Sequence, residues 1–311
     1  MKHCLLRRLL GLVPLLLGIS FLSFVLIQLS PGDPAEVAIR VNDQTPTPEL
    51  LAEVRTQLGL DRPFPERYLR WLADVVRGDL GTSYVNGRPV AGELARALPP
   101  TLMLAGTAAV IMLACSLAVA LVCVRHEGRG VDRLLRALLF LGTSVPAFWA
   151  GLLLIWLFSV HLDWLPTGGL EGPSSLVLPA VTLALPYLAA YARLLRNSMV
   201  QTAQEDFVLY ARACGRSRGA ILRMVLRNSL QASLTALGMS LPKLVAGSFV
   251  VECIFAWTGL GRLCVTAIFN RDLPVIQAYV LLMAVLFVAG NLCMDICAGL
   301  LDPRLRERGL R

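Results

Sequence analysis

The sequence predicts an all-α membrane protein of about six transmembrane helices, with a small extramembrane lobe after the first. Three observations carry this. Of 311 residues, 56% are hydrophobic and only 16% charged, against roughly 45–50% and about 25% in an ordinary soluble domain. The apolar residues are gathered into runs close to the ~20 residues that a spanning helix needs. The formal net charge of +8 comes almost wholly from arginine placed between those runs, where cationic residues set membrane orientation. No nucleic-acid-binding motif accompanies them. Eight cysteines in a chain of this length do not make a disulfide framework, and those inside apolar runs read as small packing residues.

The first span is residues 9–29, preceded by Lys2, Arg7 and Arg8. Its apolar core is longer than that of a signal peptide and no small-x-small cleavage site follows, so it reads as a retained anchor. The lobe, residues 30–97, is polar and rich in proline. Within it residues 48–58 read as a short helix with Thr47 as N-cap and Gly59 as its stop, and residues 67–76 as another ending before Gly78. A larger domain, 98–302, carries five further spans at 102–124, 137–160, 176–192, 230–251 and 279–301, and residues 303–311 form a tail. Pro146 falls in the third span and Pro179 and Pro186 in the fourth; proline at membrane depth is tolerated where neighbouring helices satisfy the freed carbonyls. These spans are expected to be kinked and buried in a bundle.

With the N-terminus inside, the internal segments hold eighteen Lys and Arg, whereas the two short external loops hold only Arg262 and Arg271. The lobe's eight arginines are not counted, because the rule does not extend to loops longer than about 60 residues. Both termini are therefore expected to be cytoplasmic.

Enzymatic signatures are missing from the sequence. There is no G-x-x-x-x-G-K-[ST] phosphate loop and no H-E-x-x-H; His126-Glu127 is followed by Gly128-Arg129-Gly130. There is no G-x-S-x-G elbow, and only three histidines occur. The chain reads as a conduit. A transporter driven by an ion gradient would be expected to show inverted repeats, and an intramembrane enzyme a nucleophile–base pair or metal set within the spans; neither is visible.

The most informative segment is the internal loop 193–229. Residues 201–213 can form one amphipathic helix, Gly215 can stop it, and a second helix over 218–227 can follow. A helix–Gly–helix elbow at the membrane surface suits docking on another protein; a basic helix lying on anionic lipid is the alternative. Ionisable residues within spans are functional candidates by default. Lys243, after Pro242 in the middle of span five, either lines a pathway or pairs with an acid of a partner. Glu252, at the external mouth of that span, is a gate or docking element or an anchor of its loop. Phe255 and Asp295 complete the pathway or gate candidates, although Asp295 reads more simply as packing or capping. Residues 254–260 look like a re-entrant apolar loop.

The elbow Gln204-Glu205-Asp206-Phe207-Val208-Leu209-Tyr210-Ala211-Arg212-Ala213-Cys214-Gly215 resembles the coupling loop of binding-protein-dependent ABC importer permeases. Ala211 and Gly215 match the general E-A-A, three residues, then G pattern, while Leu209 stands where Glu is usual. The peptide and nickel branch has an E-D-[YF]-V…A-R-A-x-G form followed by R-N, and Glu205, Asp206, Phe207, Val208, Ala211, Arg212, Ala213, Gly215, Arg227 and Asn228 resemble it closely. Leu58-Gly59-Leu60-Asp61, Arg77-Gly78-Asp79-Leu80-Gly81, Ser144-Val145-Pro146-Ala147-Phe148-Trp149 and Leu301-Asp302-Pro303-Arg304 are similar to further signatures of the branch. So is residues 252–262, with Thr258 where Pro is usual.

The resemblance implies a type-1 ABC importer transmembrane fold in the bacterial inner membrane. It implies a second permease subunit, two ATPase subunits that hold ATP and Mg, and an extracytoplasmic binding protein, with no cofactor in this chain. It places ATPase coupling on Glu205, Asp206, Phe207, Ala211, Arg212, Ala213 and Gly215. Residues 46–52 and 256–277 look more like nickel permeases than dipeptide ones. The expected cargo is therefore nickel or a nickel-like metal chelate, with dipeptide or oligopeptide as the alternative. The spans offer no cluster of metal-ligand residues, which favours a chelated form over a bare ion.

Overall fold

The computed structural model describes residues 2–29, 33–41 and 45–301, without the side chains of 2–12, 27–28, 41, 143, 231–241 and 294–301. The expected tail, 303–311, lies outside the described residues. The described chain is helical apart from loops and one isolated bridge between Thr82 and Pro89. Residues Met1–Pro100 with Thr258–Val288 form one compact unit, and Thr101–Trp257 with Ala289–Arg311 a second.

The first unit begins with α1 (Lys2–Gln28), α2 (Pro34–Val41), α3 (Pro48–Gln57) and α4 (Phe64–Val76). Helix α3 is as the sequence predicts: Thr47 Oγ1 accepts from the Leu50 N–H at 3.3 Å, and Gly59 leaves the helix at φ +64°. Helix α4 starts three residues before its expected position, because Pro65 fits the first turn, where an N–H is not needed. Its aromatic face meets α1. Phe24 packs edge-on against Phe64 and Tyr68 with ring centroids 5.4 and 5.5 Å away, and the Ser20 and Tyr68 hydroxyls pair at 2.9 Å.

Helix α5 (Val90–Arg125) starts inside the expected lobe and continues through Pro99 and Pro100. The first unit also holds α11 (Leu260–Phe269) and the start of α12 (Leu273–Leu301). Val90, Leu94 and Ala97 of α5 form a core with Leu260, Ala267, Val275 and Ala278. The turn 82–89 is fastened to the start of α12 by Asp272, which accepts hydrogen bonds from the Ser83 hydroxyl and, at 3.1 Å, from the Tyr84 N–H. Burial pushes the Tyr84 phenol up to about 12, Asp272 adding to the effect and Arg67 opposing it.

The second unit is built around α8 (Val177–Ala203), which packs on α6 (Gly130–Ser144), α7 (Ala147–Leu154) and α10 (Arg218–Ile254). Leu178, Leu183, Tyr191, Leu195 and Met199 of α8 lie in its core with Leu104, Met112 and Leu244. The expected third span is not one helix. Val145 is extended at φ −87°, ψ 124°, and Pro146 opens α7, since the residue before proline is driven out of the helical region. The span then finishes in a π-helical stretch, Ile155–His161.

By length and apolar composition, α5, Pro173–Ala203 and Leu273–Cys293 are long enough to cross a membrane, and the bent α6–α7 pair makes a fourth span if counted as one. The expected first and fifth spans fall on α1 and α10, helical throughout, where part of the side chains lies outside the described set.

Candidate functional site

The elbow joining α8 and α10 is shorter and more sharply built than the expected loop 193–229. Helix α8 runs on to Ala203 and α10 begins at Arg218, so the connector is residues 204–217. The single helix expected over 201–213 is broken: Gln204 closes α8 and Glu205, at φ −67° and ψ 149°, restarts the chain as α9 (Asp206–Ala213). The Glu205 carbonyl accepts from the Val208 and Leu209 N–H groups at 2.9 and 3.2 Å. Asp206 stands in the first turn, where the helix dipole favours an anion. The separate helix expected over 218–227 is instead the first part of the 37-residue α10; no Gly or Pro separates Arg227 from the span, so the hydrogen-bond ladder simply continues.

Helix α9 ends in a Schellman turn. The Gly215 N–H donates to Arg212 O at 3.0 Å, the Arg216 N–H to Ala211 O at 3.1 Å, and Gly215 has φ +71°, a left-handed conformation that glycine takes without steric cost. Two residues later Ser217 caps α10, accepting from the Ala220 N–H at 3.3 Å. One face of α9 is inward: Val208 is 0% exposed and Ala211 8%. The other presents Phe207, Leu209 and Tyr210, with Tyr210 73% exposed, and Glu205, Asp206, Arg212, Ala213 and Gly215 are also exposed. The helices flanking the elbow are tied by the Ser198 hydroxyl donating to Ser229 O at 3.3 Å and by the Ser229 and Thr202 hydroxyls, 3.1 Å apart.

The structure does not gather the pathway or gate candidates in one place. Lys243 is exposed on α10, and the Tyr187 hydroxyl donates to its carbonyl at 3.1 Å. Glu252 is nine residues further on, on the opposite side of the helix by the 3.6-residue period. It is fully buried and accepts from the Thr101 and Ser248 hydroxyls at 2.7 and 2.9 Å. Phe255 is 1% exposed. The Asp295 side chain lies outside the described residues. Replacing Thr101 by Val, which keeps the shape but removes a donor to a buried carboxylate, is expected to cost ~1.5–3 kcal/mol, read as a lower melting temperature of the purified permease.

Two features escaped the sequence reading. Gly168 lies so close to the turn after α10 that a Cβ there would stand 2.2 Å from Phe255 O, and the Gly169 N–H donates to the same oxygen at 2.9 Å. Asp132, on the first turn of α6, is 0% exposed and takes a two-pronged contact from Arg196 of α8, Nε to Oδ1 at 3.0 Å and Nη2 to Oδ2 at 2.9 Å. Arg196 counted in the sequence only as an orientation charge; the signal for its second role was the acid lying among the arginines of residues 125–136. Among the described residues, no group of three or more His, Cys, Asp or Glu side chains is placed to hold a metal ion.

The helical bundle, the broken span and the capped surface elbow are those of a transport permease. Residues 110–307 match the family of the binding-protein-dependent transport system inner membrane component, and residues 1–105 match the N-terminal part of such membrane components. The chain belongs to this family and is a permease subunit of an ABC importer. It is 40% identical over 304 residues to the metal-staphylopine import system permease protein CntB of Staphylococcus aureus, covering 97% of both chains. It is 39% identical over 309 residues to the glutathione transport system permease protein GsiC of Salmonella paratyphi A, covering 99% of this chain and 100% of that one. Among solved structures, a chain of the inward-facing MetNI methionine ABC transporter superposes with a TM-score of 0.58 at 19% identity, over 67% of this chain and 96% of that one. An amino acid ABC transporter chain gives 0.52 at 18% identity, over 68% and 94%. These structural likenesses establish the type-1 importer fold.

Proposed function

We propose that this permease forms half of the translocation pathway for nickel or a similar metal held in a chelate. The observation that carries the reading is the similarity along nearly the whole chain to a metal-staphylopine permease, 40% identical over 97% of both. The glutathione permease relative, 39% identical, favours a peptide-like cargo as the second reading. The other half of the pathway is a second, related permease. Two ATPase subunits holding ATP and Mg receive the elbow, and an extracytoplasmic binding protein delivers the cargo. The chain sits in the bacterial inner membrane with both termini in the cytoplasm and needs no cofactor of its own.

The elbow supports the coupling role. Phe207, Leu209 and Tyr210 give α9 an exposed apolar face, and Glu205, Asp206 and Arg212 give it charges at either end, while Val208 and Ala211 anchor it to the bundle. In the pathway, Lys243 is an exposed cation near mid-span on α10. Facing lipid it would be costly; facing the pathway it opposes a bare divalent cation and favours a carboxylate-bearing chelate. Lys243→Gln is expected to lower the initial rate of chelate uptake about tenfold, and Lys243→Glu further, with Lys243→Arg close to the parent, as electrostatic complementarity requires.

The deciding experiment asks what the associated binding protein retains, by calorimetry with nickel–histidine, nickel–citrate and glutathione. Retention of a nickel complex supports the reading; retention of glutathione or other peptides with no affinity for nickel complexes overturns it in favour of the second. The retained compound, radiolabelled, is then the cargo for uptake measurements.

A further inference from the structure

Asp132 gathers three pieces of the second unit at one carboxylate. Arg196 of α8 grips both oxygens, at 3.0 and 2.9 Å. The Gly128 N–H, in the turn after α5, donates to Oδ2 at 3.3 Å, and Arg136 of α6 approaches the same oxygen at 3.6 Å. Asp132 is 0% exposed and the Arg196 side chain 15%. Burying such a pair carries a desolvation penalty, and well-packed apolar side chains commonly stabilise a core equally well or better. What a two-pronged Arg–carboxylate contact adds is a fixed geometry.

Its position gives that geometry a use. Arg196 is seven residues from the end of α8, about 10 Å along the axis, and α8 leads into the α9 elbow through Gln204 and Glu205. Asp132 opens α6, whose other end is the break at Val145 and Pro146. We propose that Arg196 and Asp132 are a positioning pair that makes α8 and α6 move as one body, so that displacement of the elbow arrives at the Val145–Pro146 break, where α7 can hinge. The inference rests on the elbow being the ATPase contact proposed above. Rigid elements joined at a few non-helical residues are the usual way a packed bundle converts a local push into a two-state change.

The test uses the full complex of both permeases, ATPases and binding protein in proteoliposomes, with uptake and ATP hydrolysis measured together. Asp132→Asn with Arg196→Gln keeps a hydrogen-bonding pair without burying a lone charge. It is expected to leave complex yield and hydrolysis within about twofold and to lower uptake per ATP about tenfold. A second variant, Asp132→Cys with Arg196→Cys in a chain whose native cysteines are replaced, is expected to be similarly uncoupled when reduced. Bridging the two thiols with a short bis-methanethiosulfonate should restore most of the uptake per ATP. Uptake per ATP that stays at the parent level in the Asn/Gln pair overturns the proposal. So does loss of yield, hydrolysis and uptake in parallel, which marks a purely stabilising pair, and so does a bridge that leaves uptake per ATP unchanged or lowers it. Tyr210→Ala on the elbow surface separates the two readings: if it leaves ATPase association and hydrolysis untouched, the elbow assignment fails, whatever the pair variants do.

Discussion

Gly215→Pro is expected to lower cargo uptake by at least about tenfold while the permease remains in the membrane in near-normal amount. The residue sits at φ +71° and its N–H donates to Arg212 O at 3.0 Å. Proline fixes φ near −65° and has no N–H to give, so both the turn and its hydrogen bond are lost together. The connector must rebuild, and α9 would then meet the ATPase proposed above at a different angle. Little of the bundle is affected, because Cys214, Gly215 and Arg216 are exposed and contribute nothing to the core. Gly215→Ala isolates the conformational part: a left-handed alanine costs roughly 1–2 kcal/mol but keeps the donor, so uptake should fall only several-fold. Membrane-fraction blots against uptake in the same cells check both. Parent-level uptake by the proline variant would remove the elbow from the coupling path.

Gly168→Ala is expected to be strongly destabilising. The added Cβ would meet Phe255 O at 2.2 Å, Phe255 C at 2.8 Å and Phe255 Cα at 3.3 Å, all of them backbone. No side chain can swing aside to make room. The turn after α10 must move, and with it Phe255 and Trp257, which are 1% and 0% exposed, or the Gly169–Phe255 hydrogen bond must open. Overpacking of a core typically costs ~1–3 kcal/mol, and loss of the hydrogen bond adds roughly 1. The expected outcome is a melting temperature lower by several degrees in detergent, with weaker expression. Gly106→Ala is the control: it is helical, has nothing within 4 Å of the added carbon, and should be neutral or slightly stabilising.

Much of this was legible one stretch at a time. Thr47, Pro48 and Gly59 framed α3 through capping chemistry alone, and Gly215 announced the end of the elbow helix. Pro146 announced a kink, though not that Val145 would be fully extended or that the span would end in a π-helix, since neither has a local sequence signature. The continuity of α10 was hidden by the habit of ending a surface helix at its charged face; Arg227, Asn228 and Ser229 are all compatible with helix, and nothing there breaks it. The contacts that fix the site depend on residues far apart in sequence. Asp132 and Arg196 are 64 positions apart, and Gly168 owes its identity to a carbonyl 87 positions away in the chain. Composition marks such residues as charges or loop glycines and gives no hint of their partners.

Helix α10 runs unbroken for 37 residues, from the cap at Ser217 beside the elbow to the buried turn at Phe255, a span of about 55 Å at 1.5 Å per residue. Pro242 lies about two-thirds of the way along, and a Cβ added at Gly290 would touch its ring at 3.1 Å. A rod pivoting there would be a lever with unequal arms, about 36 Å toward the elbow and about 18 Å toward Phe255, so a tilt of about 5° would move the elbow end by roughly 3 Å and the far tip by under about 2 Å. On the coupling role proposed for the elbow, a stroke there would be geared down to a smaller, stiffer displacement at the Phe255 end, and the absence of a side chain at Gly290 keeps the pivot close.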